Sequence, residues 1–223
     1  MSLTKSFPAS SDTTTRTRDD GSDGQGCGNS KHLYVGRYGT GRRNYDSYIK
    51  FTLNWTDVAK IVSATLNLYT DEYNTIGTSG EPGIFAPPKT ADKPKIVVRR
   101  LTSAFTEGNN VDGDFDSTDY TKPGYSTTTS QVVRKEMTPN GANLLHTINI
   151  TALVRAWAPS SVEGGGKKPN YGIGLYGYSD DTQNWSGWAM EHSNSAERPT
   201  ITLVYELGPT IPDSPGTNGD GLT

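Results

Sequence analysis

Apolar and polar positions alternate along this chain in short runs, and one stretch changes period in the middle. Ile148 and Ile150 alternate with Thr147 and Asn149, whereas Val154 and Trp157 stand three apart. The first spacing is that of a half-buried strand and the second that of one helical face, so a strand is expected to run into a short helical turn. Thr151, at the junction, suits an N-cap because its side-chain oxygen can accept unpaired first-turn N–H groups, and Pro159 stops the turn early. Trp157 then reads as a scaffold residue that plugs one end of a sheet, and Trp55 reads as structural too.

The same alternation predicts further strands. Leu33 and Val35 mark one; Ile49, Phe51 and Leu53 share a face in the next; Ala64, Leu66 and Leu68 share a face in a third. Strands follow at Ile96–Leu101, near Gln131–Lys135, at Ile173 and Leu175, at Trp188–Met190 and at Thr200–Tyr205. Thr13–Arg18 has the β propensity of an edge strand. One wet and one buried face per strand argues for antiparallel sheets. Between them, Thr70–Pro94 and Gly108–Ser130 read as long surface excursions, and Gly164–Lys168 as a flexible loop. Pro209, Pro212 and Pro215 give the end of the sequence the composition of a linker.

Composition narrows the choice. In 223 residues there are 25 Gly and 13 Pro, a mix that suits many short strands and tight turns in one all-β domain. The net charge of -3 comes without any Lys/Arg run, which argues against nucleic acid as a partner. Cys27 stands alone, so neither an intrachain disulfide nor a multi-thiolate zinc site is available to the sequence. No apolar run reaches the length of a membrane span, so membrane insertion is not expected. Residues 1–10 lack the apolar core of a secretory signal, and the expectation drawn from them is a chain that does not export itself.

Four segments taken together resemble the DNRLRE family of β-sandwich domains, which is related to the family 96 carbohydrate-binding modules. The first is Leu33–Gly36 with Tyr48–Leu53 and Ile61–Tyr69; the second is Val98–Glu107. The third is Ile148–Trp157, and the fourth is Asn170–Leu175 closing with Arg198–Ile201. Their order and spacing extend across nearly all of residues 12–206. The resemblance implies a jelly-roll antiparallel β-sandwich over 12–207, with one short helical turn, an N-terminal extension over 1–11, and a Pro/Gly-rich linker or tail over 208–223. It also implies a non-catalytic role of the kind found on cell surfaces, beside secreted polysaccharide-degrading enzymes and in bacteriophage minor tail or other virion proteins. Three departures stand out: Phe105 occupies a position where the family often has Trp, the acidic excursion replaces a second Trp-containing segment expected soon after, and the family's last-strand pattern does not register on Trp188–Ser193.

Two loops hold the richer chemistry. Asp112, Asp114, Asp116 and Asp119 put carboxylates at near-alternate positions, able to wrap a hard cation such as calcium. It is not an EF-hand loop, since Ser117 and Pro123 stand where Gly and Glu are needed. A solvated acidic loop is the bland reading and the one charge clusters usually follow, with a structural calcium ion as the alternative and no cofactor required. In the polar hairpin-like loop Ser179–Gly187, Asp180, Asp181, Asn184 and Trp185, with Tyr178 and Trp188 beside them, combine the groups that bind sugars by hydrogen bonds and ring stacking. Packing is the commoner fate of such aromatics. If Trp185 does stack on a sugar, replacing it by Ala should weaken polysaccharide retention at unchanged melting temperature.

Hydrolysis needs paired carboxylates or a nucleophile with an oriented base. His32, His146 and His192 have no recognisable partner motif, and no G-x-S-x-G elbow occurs. The expectation is a non-enzymatic structural or adhesion module of a virion, a phage tail or surface-decoration protein. Its partners would be other virion proteins, further copies of itself or a cell-surface polysaccharide. The alternative is a carbohydrate-binding module of a secreted or cell-wall bacterial protein, located outside the cell.

Overall fold

The computed structural model describes residues 1–18, 25–38, 43–71, 94–108, 122–137, 143–177 and 184–208. Eleven strands and one short helix follow in the order β1 (Ser2–Arg18), β2 (Gln25–Cys27), β3 (His32–Tyr38), β4 (Arg43–Phe51), β5 (Val58–Tyr69), β6 (Lys95–Arg100), β7 (Val132–Glu136), β8 (Leu145–Asn149), α1 (Thr151–Trp157), β9 (Ile173–Gly177), β10 (Asn184–Trp188) and β11 (Thr200–Leu207). The strands pair antiparallel along the path β7-β6-β9-β4-β1-β11-β5-β8, with β3 branching from β4 to pair with β10, and β2 lying on β1. The two ends of the path, β7 and β8, approach each other, so the sheet is nearly closed and barrel-like. The all-β antiparallel class with one short helix is what the alternation led us to expect.

β1 holds the assembly together. Its first half pairs with β11, from Ser2 opposite Glu206 to Pro8 opposite Thr200, and its second half pairs with β4 as far as Arg18 opposite Arg43. The register shifts between Ala9 and Ser11, where the strand passes from one layer to the other. Pro8, which has no N–H to give to a ladder, stands at this changeover, a position a central strand tolerates. Residues 2–11 are therefore part of the sheet and not an extension, and Thr13–Arg18 lies in an interior strand and not at an edge. The apolar signal there is sparse, with Phe7 and Ala9 buried among Ser, Thr and Lys, and partner strands on both sides supply the missing order.

Between the two layers lies one core. Ile61, Ala64, Leu66, Leu68, Ile148, Ile201 and Leu203 come from one side and Leu33, Val35, Ile49, Phe51, Ile96, Val98, Ile173 and Leu175 from the other. α1 adds Leu153, Val154 and Trp157 to it and packs on β5, so the expected plug is present. Its capping differs from expectation. Thr151 Oγ1 accepts from the Ala64 N–H on β5 (2.9 Å), while Asn149 Oδ1 accepts from the Thr151 N–H (3.0 Å). The Gly164–Lys168 loop is docked beneath the helix, where Gly166 N and Lys168 N donate to the Arg155 and Ala156 carbonyls (2.9 and 2.8 Å) that the helix end leaves over.

Glycine is required where β9 begins. Gly172 has φ of 98°, and a Cβ there would lie 2.3 Å from the Ile49 carbonyl oxygen. That close approach seats β9 against β4 and brings Tyr176 onto the outer face of the sheet. Among the described residues no helix is long and apolar enough to cross a membrane.

Candidate functional site

Two of the three aromatics expected to bind sugar, Trp185 and Trp188, are interior residues. Asn184–Gly187 is not loop but the strand β10, with Trp185 opposite Val35 and Trp188 opposite His32. Trp185 is 1% exposed and Trp188 7%, so neither presents a ring face on which a sugar could stack. Trp188 Nε1 donates to Asn143 Oδ1 (2.7 Å), and its indole stacks on His192 at 3.7 Å between centroids. The sequence leaves these two roles indistinguishable, because a Trp on a strand beside a polar loop has the same local pattern whether its face is covered or open. Tyr178, Asp180 and Asp181 lie outside the described residues, as do Asp112, Asp114, Asp116 and Asp119. Among the described residues no group of three or more His, Cys, Asp or Glu is placed to hold a metal ion.

Beside Trp188 the fold assembles a buried polar knot that no motif announces. His32 Nδ1 lies 3.0 Å from Asp71 Oδ2, and Ser186 Oγ donates to Asp71 Oδ1 at 2.6 Å. The Asp71 side chain is fully buried, and the Tyr34 and Trp188 rings pack against the His32 ring (5.9 and 5.1 Å). Serine, histidine and aspartate are the residue types of a hydrolytic triad, but the order is wrong for one. Asp71 stands between the other two, so the Ser186 hydroxyl donates to a carboxylate, and among the described residues no imidazole is hydrogen-bonded to it. The knot joins β3, β10 and the end of β5. Thr70 adds to the junction by accepting from the Leu144 N–H through its hydroxyl (2.8 Å).

A second buried carboxylate, Asp12 on β1, accepts from the Met190 N–H at 2.7 Å, and its own N–H donates to Glu107 Oε1 at 3.3 Å. Burial raises the Asp12 pKa well above the ordinary carboxylate value; Glu191 and Glu107 nearby push the same way, against the Met190 bond. Glu107, too, is raised by burial. These groups tie β1 to the segments after β6 and β10.

The open chemistry lies on the outer face of β6, β9 and β4. One row across the strands reads Val132, Arg99, Gly174, Tyr48, Thr13. The next carries Arg134, Val97 and Tyr176. The Arg99 guanidinium lies over the Tyr125 ring at 4.5 Å and near Tyr176 at 5.7 Å, and those two rings stand 5.1 Å apart. Tyr176 also meets Tyr48, which meets Phe105. Gly174 makes room for this, since a Cβ there would fall 2.5 Å from the Tyr176 ring. Tyr125 remains 40% exposed. Beside the stack opens a cleft of about 240 Å³ lined by Arg99, Thr127, Thr129, Val132 and Arg134. Asp46 on β4 has a pKa raised to about 6 by burial, with Lys122 and Arg99 drawing it down. Tyr176 is raised by burial first and then by Asp46. Nothing in the sequence pointed to this face, because Tyr125 and the threonines sit in a stretch whose composition reads only as polar excursion.

No protein-family model matches the chain, and no curated protein matches it.

Proposed function

We propose that this chain is a non-enzymatic structural and adhesion module of a bacteriophage virion, a tail or surface-decoration protein that engages host-surface glycans. The observation that carries the non-enzymatic part is the His32–Asp71–Ser186 arrangement. Among the described residues this Ser, His and Asp are buried, and the serine hydroxyl donates to Asp71, which favours strand junctions held rigid over turnover. The virion part rests on the resemblance of the four segments to DNRLRE domains. Labelling of purified phage particles by an antibody raised against residues 1–208 is the expected result. Signal confined to a bacterial culture filtrate or cell wall would overturn the virion assignment.

The half-exposed Tyr125 ring beside a polar cleft favours a second reading, a carbohydrate-binding module of a secreted or cell-wall protein. Both readings predict retention in affinity electrophoresis in polysaccharide gels, and only the first predicts labelled particles, so the two measurements together separate them. Retention abolished by Tyr125→Ala, with no label on particles, would select the second.

A further inference from the structure

We propose that the cleft beside Arg99 is a binding site for a monocarboxylate ligand, a single carboxyl group carried on a small flat or apolar body. Arg99 is half-buried, and among the described residues it has no hydrogen bond and no ion pair. Its contacts with Tyr125 and Tyr176 answer the positive charge through the ring faces but leave the guanidinium N–H donors unused. Nε is covered by protein and has no partner among the described residues, so the cleft side of the guanidinium is its terminal Nη atoms. Native proteins rarely leave such donors idle, and an arginine braced on aromatic rings presents a flat fork suited to two carboxylate oxygens.

The walls agree with this. Thr127 and Thr129 bring hydroxyls to the lining, Val132 brings apolar surface, and a cleft of about 240 Å³ has room for one ring-sized group. Cations on a sheet edge often serve only to prevent strand-to-strand aggregation, and Arg134 and Lys135 on β7 fit that explanation. Arg99 does not, because β6 lies inside the sheet between β7 and β9. A monoanion is favoured over a doubly charged phosphate because Arg134 already has an interaction of its own, which leaves one uncommitted guanidinium. Asp46 faces the same groups from β4 and sets a repulsive limit on any anion. This inference goes beyond the architectural reading above, which would stand if it failed.

The test is a titration of the whole chain with benzoate, with benzamide as the uncharged isostere and sulfate as the tetrahedral anion, at constant ionic strength. The readout is the NMR signals of the Arg99 Nε–H and the Tyr125 ring. Benzoate should give saturable shifts in the millimolar range, with benzamide and sulfate giving none. Arg99→Lys, which keeps the charge but loses the fork, should weaken benzoate by about tenfold or more, the equivalent of one strong contact. Asp46→Asn should strengthen it severalfold, which keeps the inference testable if the lysine variant fails to fold. No saturable shift, an equal response to benzamide, or a response to sulfate alone would overturn it.

Discussion

His146 provides a direct test of how burial governs the stability of this fold. It lies on β8 at 5% exposure, its ring edge-on to Trp185 at 6.4 Å, and its Nε2 is covered with no hydrogen-bond partner among the described residues. Burial, with Lys135 adding to it, lowers its pKa from 6.5 to about 4. The folded protein therefore holds His146 neutral at pH values where the unfolded chain binds a proton. Between those two pKa values the unfolded state carries more protons, so stability rises with pH. It is fully present above pH 6.5 and lost as pH falls toward about 4. At roughly 1.4 kcal/mol per pH unit the loss over that window is about 3 kcal/mol, a large share of the roughly 5–15 kcal/mol typical of a domain. His146→Phe keeps a ring against Trp185 and removes the titration. Urea unfolding of both proteins from about pH 7 down to about pH 4.5 should give free energies within about 1 kcal/mol at the upper end. The variant should lead by about 2–3 kcal/mol at the lower end. Asp12 and Asp46 titrate in the opposite sense in both proteins and cancel in the difference. Two curves that stay parallel across the range would refute the idea that His146 is buried in its neutral form.

Asp12→Asn keeps an oxygen for the Met190 N–H and removes a carboxylate whose folded pKa is raised, so it should raise the melting temperature at pH 8. Because the wild-type carboxyl gains stability as pH falls below its folded pKa, that advantage should shrink toward pH 4; a pH-independent shift in calorimetry would contradict it. Trp185→Ala removes a core indole and should cost about 3–5 kcal/mol in urea unfolding, so a variant that melts like its parent would contradict the burial described here. Gly172→Ala forces a Cβ against the Ile49 carbonyl at an unfavourable φ and should destabilise by more than about 1 kcal/mol, a loss visible as lowered yield and melting temperature.

Much of the frame was legible in the sequence because a half-buried strand writes its burial into alternate residues. Spacing alone puts Ile49 and Phe51 on one buried face and Ala64, Leu66 and Leu68 on another, and the structure buries all five. The Val154–Trp157 spacing likewise located α1. What alternation cannot express is whether a polar strand has neighbours on both sides. That is why Ser2–Ser11 read as an extension and Asn184–Gly187 as a loop. Side-chain contacts between distant segments are equally silent. Asp71 and Ser186 are 115 residues apart, and Tyr176, which meets Tyr125, lies over β9 in space that a Cβ at Gly174 would fill.

Placing β1 between β4 and β11 also sets a timetable for the nascent chain. Ser2 finds its partner only when Glu206 has been made, so the first half of the strand emerges from the ribosome long before its other side exists. At roughly 5–20 residues per second the wait is on the order of 10–40 s, during which the facing edge of β1 lacks its neighbour. A chaperone that shields polar, threonine-rich edges, or slow codons placed late in the message, would therefore influence the yield of this protein more than either would in a fold whose early strands pair locally.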